Sequence, residues 1–179
     1  MEQNRYKKEA FPTQPTETHL SDSLFNHASL VPLTEETALL ISEWAYPPPY
    51  EVYSFKGHPN GYLFDKSTWG TEQFCLTNDG RILGQVAAQP DGEELWIGWS
   101  MEPSLTGKGN GRTFVERCVE ELRRVTGHSG PILLRVAASN VRAIRAYQSA
   151  GFVYEETIKD EIAYTGHTED FFILRKAAH

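Results

Sequence analysis

The run Leu95-Trp96-Ile97-Gly98-Trp99-Ser100-Met101-Glu102-Pro103-Ser104-Leu105-Thr106-Gly107-Lys108-Gly109-Asn110-Gly111-Arg112 changes its periodicity midway. Leu95, Ile97, Trp99 and Met101 alternate with Trp96, Gly98 and Ser100, the period of two of a strand. Beyond Arg112, the residues Phe114, Val115, Cys118, Val119 and Leu122 recur at the spacing of one helix face. Three glycines separate the two patterns. They let the backbone turn sharply and approach a ligand closely. The first N–H groups of the following helix have no partner inside it and sit at its positive dipole end, so they hold an anion. Lys108 and Arg112 add charge, and a diphosphate is the natural guest.

Other glycine loops fit less well. A P-loop has G-x-x-x-x-G-K-[ST], whereas Lys108 lies between the glycines here. A dinucleotide fingerprint has a third glycine where this chain has Arg112.

Working outward, Asn78-Asp79-Gly80 joins two strand-like runs, Glu72 to Thr77 and Arg81 to Ala88, as a hairpin signal, and Asp91-Gly92 is a second turn. Upstream, Leu30 to Leu33 reads as a short strand. Thr34 caps a helix with Glu35 and Glu36 in its first turn and a stripe of Ala38, Leu39, Ile41 and Trp44. Tyr46-Pro47-Pro48-Pro49-Tyr50 stops that helix. Downstream, Ile132 to Ala137 is a strand, Val141 to Ala150 a helix closed by Gly151, and Phe152 to Ile162 with Asp170 to Leu174 a final hairpin. Strands come early and late, with one β-α-β crossover between. The order predicts an α/β (α+β) sheet, mixed and mostly antiparallel, flanked by about four helices. Residues 1–29 lack periodicity and read as an N-terminal extension to a domain at 30–179. Docked on a second protomer, the extension would make a homodimer.

The strand after the glycine helix leads into Asn140-Val141-Arg142-Ala143-Ile144-Arg145-Ala146-Tyr147-Gln148-Ser149-Ala150-Gly151-Phe152. Here the chain resembles the GNAT superfamily of acyl-CoA N-acyltransferases. The family's motif N-x-R-A-x-x-x-Y-x-x-x-G-F is met at each fixed position. Its pyrophosphate motif, [Q/R]-x-x-G-x-[G/A], is met from Thr106 to Gly111 except at Thr106. The resemblance spans roughly Leu30 to Lys176.

The resemblance implies a central parallel pair, Leu95–Met101 and Ile132–Ala137, that splays apart. Acetyl-CoA would lie in the gap, its pantetheine arm pairing with the backbone of Trp99 and Met101. Its pyrophosphate would sit on Thr106, Gly107, Lys108, Gly109, Asn110, Gly111 and Arg112, and Asn140, Ala143 and Tyr147 would border the arm. Tyr147 matches the general acid that protonates the departing thiolate, and a main-chain N–H near Met101 would steady the oxyanion. The acceptor amine attacks directly in a ternary complex. The resemblance does not fix the base. Glu94 is the first candidate, with Glu51 and Glu102 behind it. The aromatic run around Tyr46–Tyr50, with Tyr53 and Phe55, lies where the acceptor site is walled. Trp69 and Trp96 belong to that cleft or to the core.

Composition narrows the partners. The chain has 179 residues, 40% hydrophobic, and a net charge of −7. Its basic residues are scattered, so nucleic acid is a poor partner. No stretch is apolar enough for a membrane span. Met1–Ala10 lacks the apolar core of a secretion signal, and a cytoplasmic protein is expected. Cys75 and Cys118 sit among apolar neighbours as core thiols, and no metal-ligand spacing occurs. His58 and His167 lie in turns, as surface residues. The reading is an N-acetyltransferase for a small-molecule or protein amine. A non-catalytic acyl-CoA sensor and a glycine-loop nucleotide binder stand as alternatives.

Overall fold

A computed structural model describes residues 24–163 and 165–179. Seven strands form one sheet in the order β1-β2-β3-β4-β5-β7-β6. They are β1 (Ser29–Pro32), β2 (Gln73–Asn78), β3 (Arg81–Asp91), β4 (Glu94–Met101), β5 (Ile132–Ala137), β6 (Val153–Glu161) and β7 (Thr168–Lys176). Only β4 and β5 run parallel; every other neighbouring pair is antiparallel. The helices are α1 (Glu35–Ser42), α2 (Gly111–Thr126), α3 (Val141–Ser149) and a short helical stretch at residues 24–26. The expected mixed, mostly antiparallel sheet with a central parallel pair is therefore present.

Local chemistry explains the borders. Thr34 and Thr37 form a reciprocal capping box at the start of α1. Asp79 (φ 48°) and Gly80 (φ 78°) are both left-handed, as the tight hairpin between β2 and β3 demands. α2 ends on Gly127, also left-handed. The strand β3 runs to Asp91, past the expected end at Ala88, because its pairing with β4 continues from Gly84↔Met101 to Asp91↔Glu94.

Alternation along the strands splits the core between two faces. Phe74, Leu76, Val86 and Leu134 meet α2 through Phe114, Val115, Cys118 and Leu122. Cys75 points to the opposite face, where Ala38 and Ile41 of α1 pack with Leu33, Trp44 and Leu63. Leu39, expected in that stripe, is exposed, because it lies roughly 100° round the helix from Ala38 and off the side that carries Ala38 and Ile41. Phe25 and Ala28, on the extension side of residue 30, are fully buried in the main core, with Phe25 edge-on to Phe114. The remainder of the expected extension, residues 1–23, lies outside the described residues. Among those described, no helix is long and apolar enough to cross a membrane.

Candidate active site

The parallel pair holds together at one end only. Leu95 pairs with Ile132 and Trp96 with Leu133, and the pairing stops there. β5 continues alongside β7 to Ala137↔Phe171, so β4 from Ile97 onward has no neighbour on that side. Backbone groups alternate sides along a strand. The N–H of Leu95 points across to Pro131 O (3.1 Å), and that of Glu102 points the other way to Leu83 O (2.9 Å). By alternation, Ile97, Trp99 and Met101 aim N–H and C=O into the opening. The Met101 carbonyl accepts a hydrogen bond from Tyr46 Oη at 2.7 Å. Trp99 and Met101 thus stand where a ligand strand would pair.

The glycine loop closes the C-terminal end of this opening. A 3-10 turn, Pro103–Leu105, leads into it, with the Glu102 carboxylate accepting from Ser104 N–H at its start. Thr106 spends its hydroxyl on Pro103 O (2.8 Å), an internal loop contact. Gly107 (φ 71°) and Gly109 (φ 81°) are left-handed, and a Cβ on either would meet nothing within 4 Å. Asn110 is buried, its Nδ2 donating to Leu105 O (2.8 Å), and its Oδ1 has no hydrogen-bond partner among the described residues. Its side chain braces the loop from behind. At Gly111 a Cβ would come within 2.8 Å of Ala146 Cβ, so α2 can start this close to α3 only with glycine there. The first amides of α2 stand with no helical partner. A diphosphate fits this loop: open glycine backbone, unpaired amides and the Arg112 guanidinium, whose Nε also bonds Glu116 at 2.8 Å. Lys108 is exposed and is not among the residues lining the cleft.

Across the opening stands α3. Asn140 caps it, Oδ1 accepting from Ala143 N–H (3.3 Å). The Asn140 Nδ2 donates to nothing among the described residues, so it keeps its capacity for a ligand carbonyl. Tyr147 lies two turns on. Its phenol oxygen accepts the indole N–H of Trp99 at 3.1 Å. The Trp99 ring also packs against Phe114 (6.2 Å) and Phe152 (6.3 Å), forming an aromatic floor. Burial pushes the Tyr147 phenol up to about 12, so it stays protonated at neutral pH.

One cleft of about 930 Å³ joins the glycine loop, the splayed strands and the aromatic segment after α1. Trp99, Met101, Thr106, Gly107, Gly109, Asn110, Gly111 and Arg112 line it, as do Asn140, Ala143 and Tyr147. Glu94 does not. It starts β4, roughly 17 Å of strand from Trp99 at about 3.3 Å per residue, and is paired to Arg175 at 2.6 Å. Glu51 and Glu102 are also outside the lining, and Glu102 is spent on its own turn. The carboxylate within the cleft lining is Glu161, at the end of β6, with Oε1 accepting from Gly166 N–H (2.8 Å). His58 also lines the cleft rather than facing away, its Nδ1 2.7 Å from Ser54 O. Trp69 packs with the α1 core, and neither it nor Trp96 reaches the cleft. Both thiols are buried and driven up by desolvation, Cys75 to about 12, so neither is a thiolate nucleophile.

A sequence profile of the acetyltransferase (GNAT) family matches residues 38–152. A search of curated proteins gives no significant match. Among solved structures, the chain is similar to the ribosomal-protein-S18-alanine N-acetyltransferase of Escherichia coli. The identity is 22%, the TM-score 0.61, and 84% of this chain and 94% of that one are covered. It is similar too to the spermidine N-acetyltransferase of Vibrio cholerae in complex with CoA and spermine. There the identity is 19%, the TM-score 0.67, and the coverage 86% and 96%. An aminoglycoside acetyltransferase in complex with coenzyme A aligns at 19% identity and TM-score 0.63, over 84% and 94% of the two chains.

Proposed function

Because this chain belongs to the acetyltransferase (GNAT) family, we propose that it moves the acetyl group of acetyl-CoA to a primary amine, of a small molecule or a protein, by direct attack in a ternary complex. The observation that carries this reading is the two-residue pairing of β4 with β5, which leaves the gap-facing backbone of Trp99 and Met101 beside Tyr147.

Acetyl-CoA supplies a thioester whose acetyl carbon is open to attack by an uncharged amine. The amides at the start of α2, with Gly107, Gly109 and Arg112, hold its diphosphate. The backbone of Trp99 and Met101 pairs with its amide-bearing arm as an added strand, and Asn140 Nδ2 donates to the same arm. A gap-facing N–H near Met101 stabilises the charge that develops on the carbonyl oxygen. Tyr147 holds a proton at Oη for the sulfur as the C–S bond breaks. Glu161 takes the proton that the amine nitrogen sheds as the C–N bond forms, directly or through water. With both cysteines buried as thiols, no acetyl-cysteine stage is needed.

The test is CoA release from acetyl-CoA against a panel of amines, with calorimetry of CoA binding in parallel. Tyr147→Phe should bind CoA like the parent and turn over roughly 100-fold more slowly. Binding without release on any amine would leave an acyl-CoA sensor, and stabilisation by ATP but not by CoA would leave a nucleotide binder.

A further inference from the structure

We propose that the acceptor carries a carboxylate of its own beside the amine, as a free amino acid does, and that Arg142 receives it. The inference rests on amine acetylation at the gap described above and concerns which amine enters.

Arg142 is the second residue of α3 and lines the cleft, half-buried. Its guanidinium carbon lies 3.9 Å from the centroid of the Tyr50 ring, in the segment Tyr46–Tyr50. Among the described residues no carboxylate lies within ion-pairing distance of it. The other partly covered arginines have their charge met: Arg117 by Glu120 and Glu121, Arg175 by Glu94 and Glu155, and Arg123 by the carbonyls of His128, Gly130 and Ala177. A half-buried cation without a counter-charge is costly to hold, and a ligand anion would supply the missing partner. Stacking on Tyr50 fixes the guanidinium plane and leaves its edge for the two-pronged grip that carboxylates accept.

The other cations of the cleft have other work. Arg112 follows the glycine loop. Arg145 is exposed and sits beside Ala146, the residue that abuts Gly111 of that loop. On the proposed function Arg112 borders the diphosphate. Arg135 is ion-paired with Asp160 and lies over the Phe171 ring. Arg142 is tied instead to the segment whose Tyr46 bonds the Met101 carbonyl, at the mouth of the splayed strands.

Charge argues the same way. Of the four arginines that line the cleft, Arg112 and Arg135 are ion-paired with Glu116 and Asp160, whereas Arg142 and Arg145 have no carboxylate partner among the described residues and Glu161 is the one carboxylate of the lining. A polyamine or aminoglycoside would bring several positive charges to a wall already positive, with one acid to meet them. A monoamine with an adjacent carboxylate offers its nitrogen to Glu161 and its anion to Arg142.

The experiment uses matched acceptors: free amino acids, the corresponding amino-acid amides, and spermidine, each followed by CoA release. The parent should prefer the free amino acids to their amides by about tenfold or more in kcat/KM. Arg142→Ala should erase that preference by raising the amino-acid KM, with the acetyl-CoA KM held within about twofold. Arg142→Lys, which keeps the charge but not the fork, should fall between, and it stands in if the alanine variant does not fold. A parent that favours amides or spermidine overturns the proposal. A rise in the acetyl-CoA KM alone also overturns it, by giving Arg142 to the cofactor. No release with any acceptor, despite CoA binding, overturns amine acetylation itself.

Discussion

The indole N–H of Trp99 donates to the phenol oxygen of Tyr147 across 3.1 Å, tying the gap-facing strand to the helix opposite. A donor on that oxygen favours the phenolate, so it opposes the burial that pushes the phenol up to about 12. Trp99→Phe keeps a ring against Phe114 and Phe152 but removes the donor. Its Tyr147 should hold the proton more tightly and yield it less readily. We expect kcat to fall about tenfold with the acetyl-CoA KM unchanged. In the parent, activity should not decline between pH 8 and 10 through loss of the Tyr147 proton, since that phenol titrates near 12. A pH–rate profile of both proteins reads the two effects. A Trp99→Phe enzyme with parental kcat would remove Trp99 from the proton transfer.

The phosphate assignment turns on Gly109. A Cβ there meets nothing within 4 Å, so a side chain has room, but φ is 81° and strains any residue other than glycine. The strain costs about 1–2 kcal/mol. Gly109→Ala carries that strain alone. Gly109→Glu adds a negative charge in the diphosphate seat. By calorimetry the alanine variant should bind CoA within about tenfold of the parent and the glutamate variant about 100-fold or more weaker. Equal affinities in the two variants would place the diphosphate elsewhere.

What the sequence reveals follows from how local each signal is. The glycine loop and the Asn140–Phe152 segment are continuous, so spacing alone carries them. The β2–β3 turn is likewise readable from Asn78-Asp79-Gly80. The opening of β4 from β5 is a tertiary fact with no mark inside either strand. Glu94 shows the consequence: it shares a strand with Trp99 and Met101, but only the other end of that strand is open. The cleft lining brings together Tyr46, His58 and Glu161, far apart in the chain, and only the aromatic run at Tyr46–Tyr50 announces it. The C-terminal hairpin contributes Glu161 because β7 inserts between β5 and β6, an order that hairpin periodicity does not specify.

Exchanging the two carboxylates separately tests where the base lies. Glu94→Gln weakens its bridge to Arg175, which keeps Glu155 at 3.0 Å. Being partly exposed, that bridge contributes no more than about 1 kcal/mol. Turnover should stay within about twofold of the parent, since Glu94 is some 17 Å along the strand. Glu161→Gln should lower kcat by about 10–100-fold and leave CoA affinity alone. Saturating steady-state rates at fixed pH distinguish them, and an unimpaired Glu161→Gln enzyme would assign the proton to another group.

Stability depends on Glu121, whose carboxylate is buried against the start of the sheet. Oε2 accepts from Leu30 N–H at 2.9 Å and from Arg124 Nη2 at 2.7 Å, while Oε1 faces Arg117 Nη2 at 3.2 Å. Arg117 in turn donates to Ala28 O at 2.7 Å. The group staples β1, a four-residue edge strand paired with β2 alone, and the segment before it onto α2. Burial alone would raise its pKa; the hydrogen bonds from Arg124 and Leu30 and the nearby arginine charges win, leaving it below the ordinary value of 4.5. A lowered pKa means that the unfolded chain takes up the proton first. The carboxylate's contribution is therefore complete above about pH 4.5 and is lost as pH falls through the native value. Glu121→Ala strands the Leu30 amide and takes a carboxylate partner from Arg117 and Arg124, and should cost about 2–4 kcal/mol at pH 7, or roughly 5–15 °C in Tm. Glu121→Gln fills the space but accepts on one oxygen without charge, and should lose part of that. Thermal unfolding at pH 7 and at pH 4 reads the difference. If charge is the cause, the gap between the parent and Glu121→Gln narrows at the lower pH; if the gap is the same at both, packing rather than the ionised carboxylate holds β1 in place.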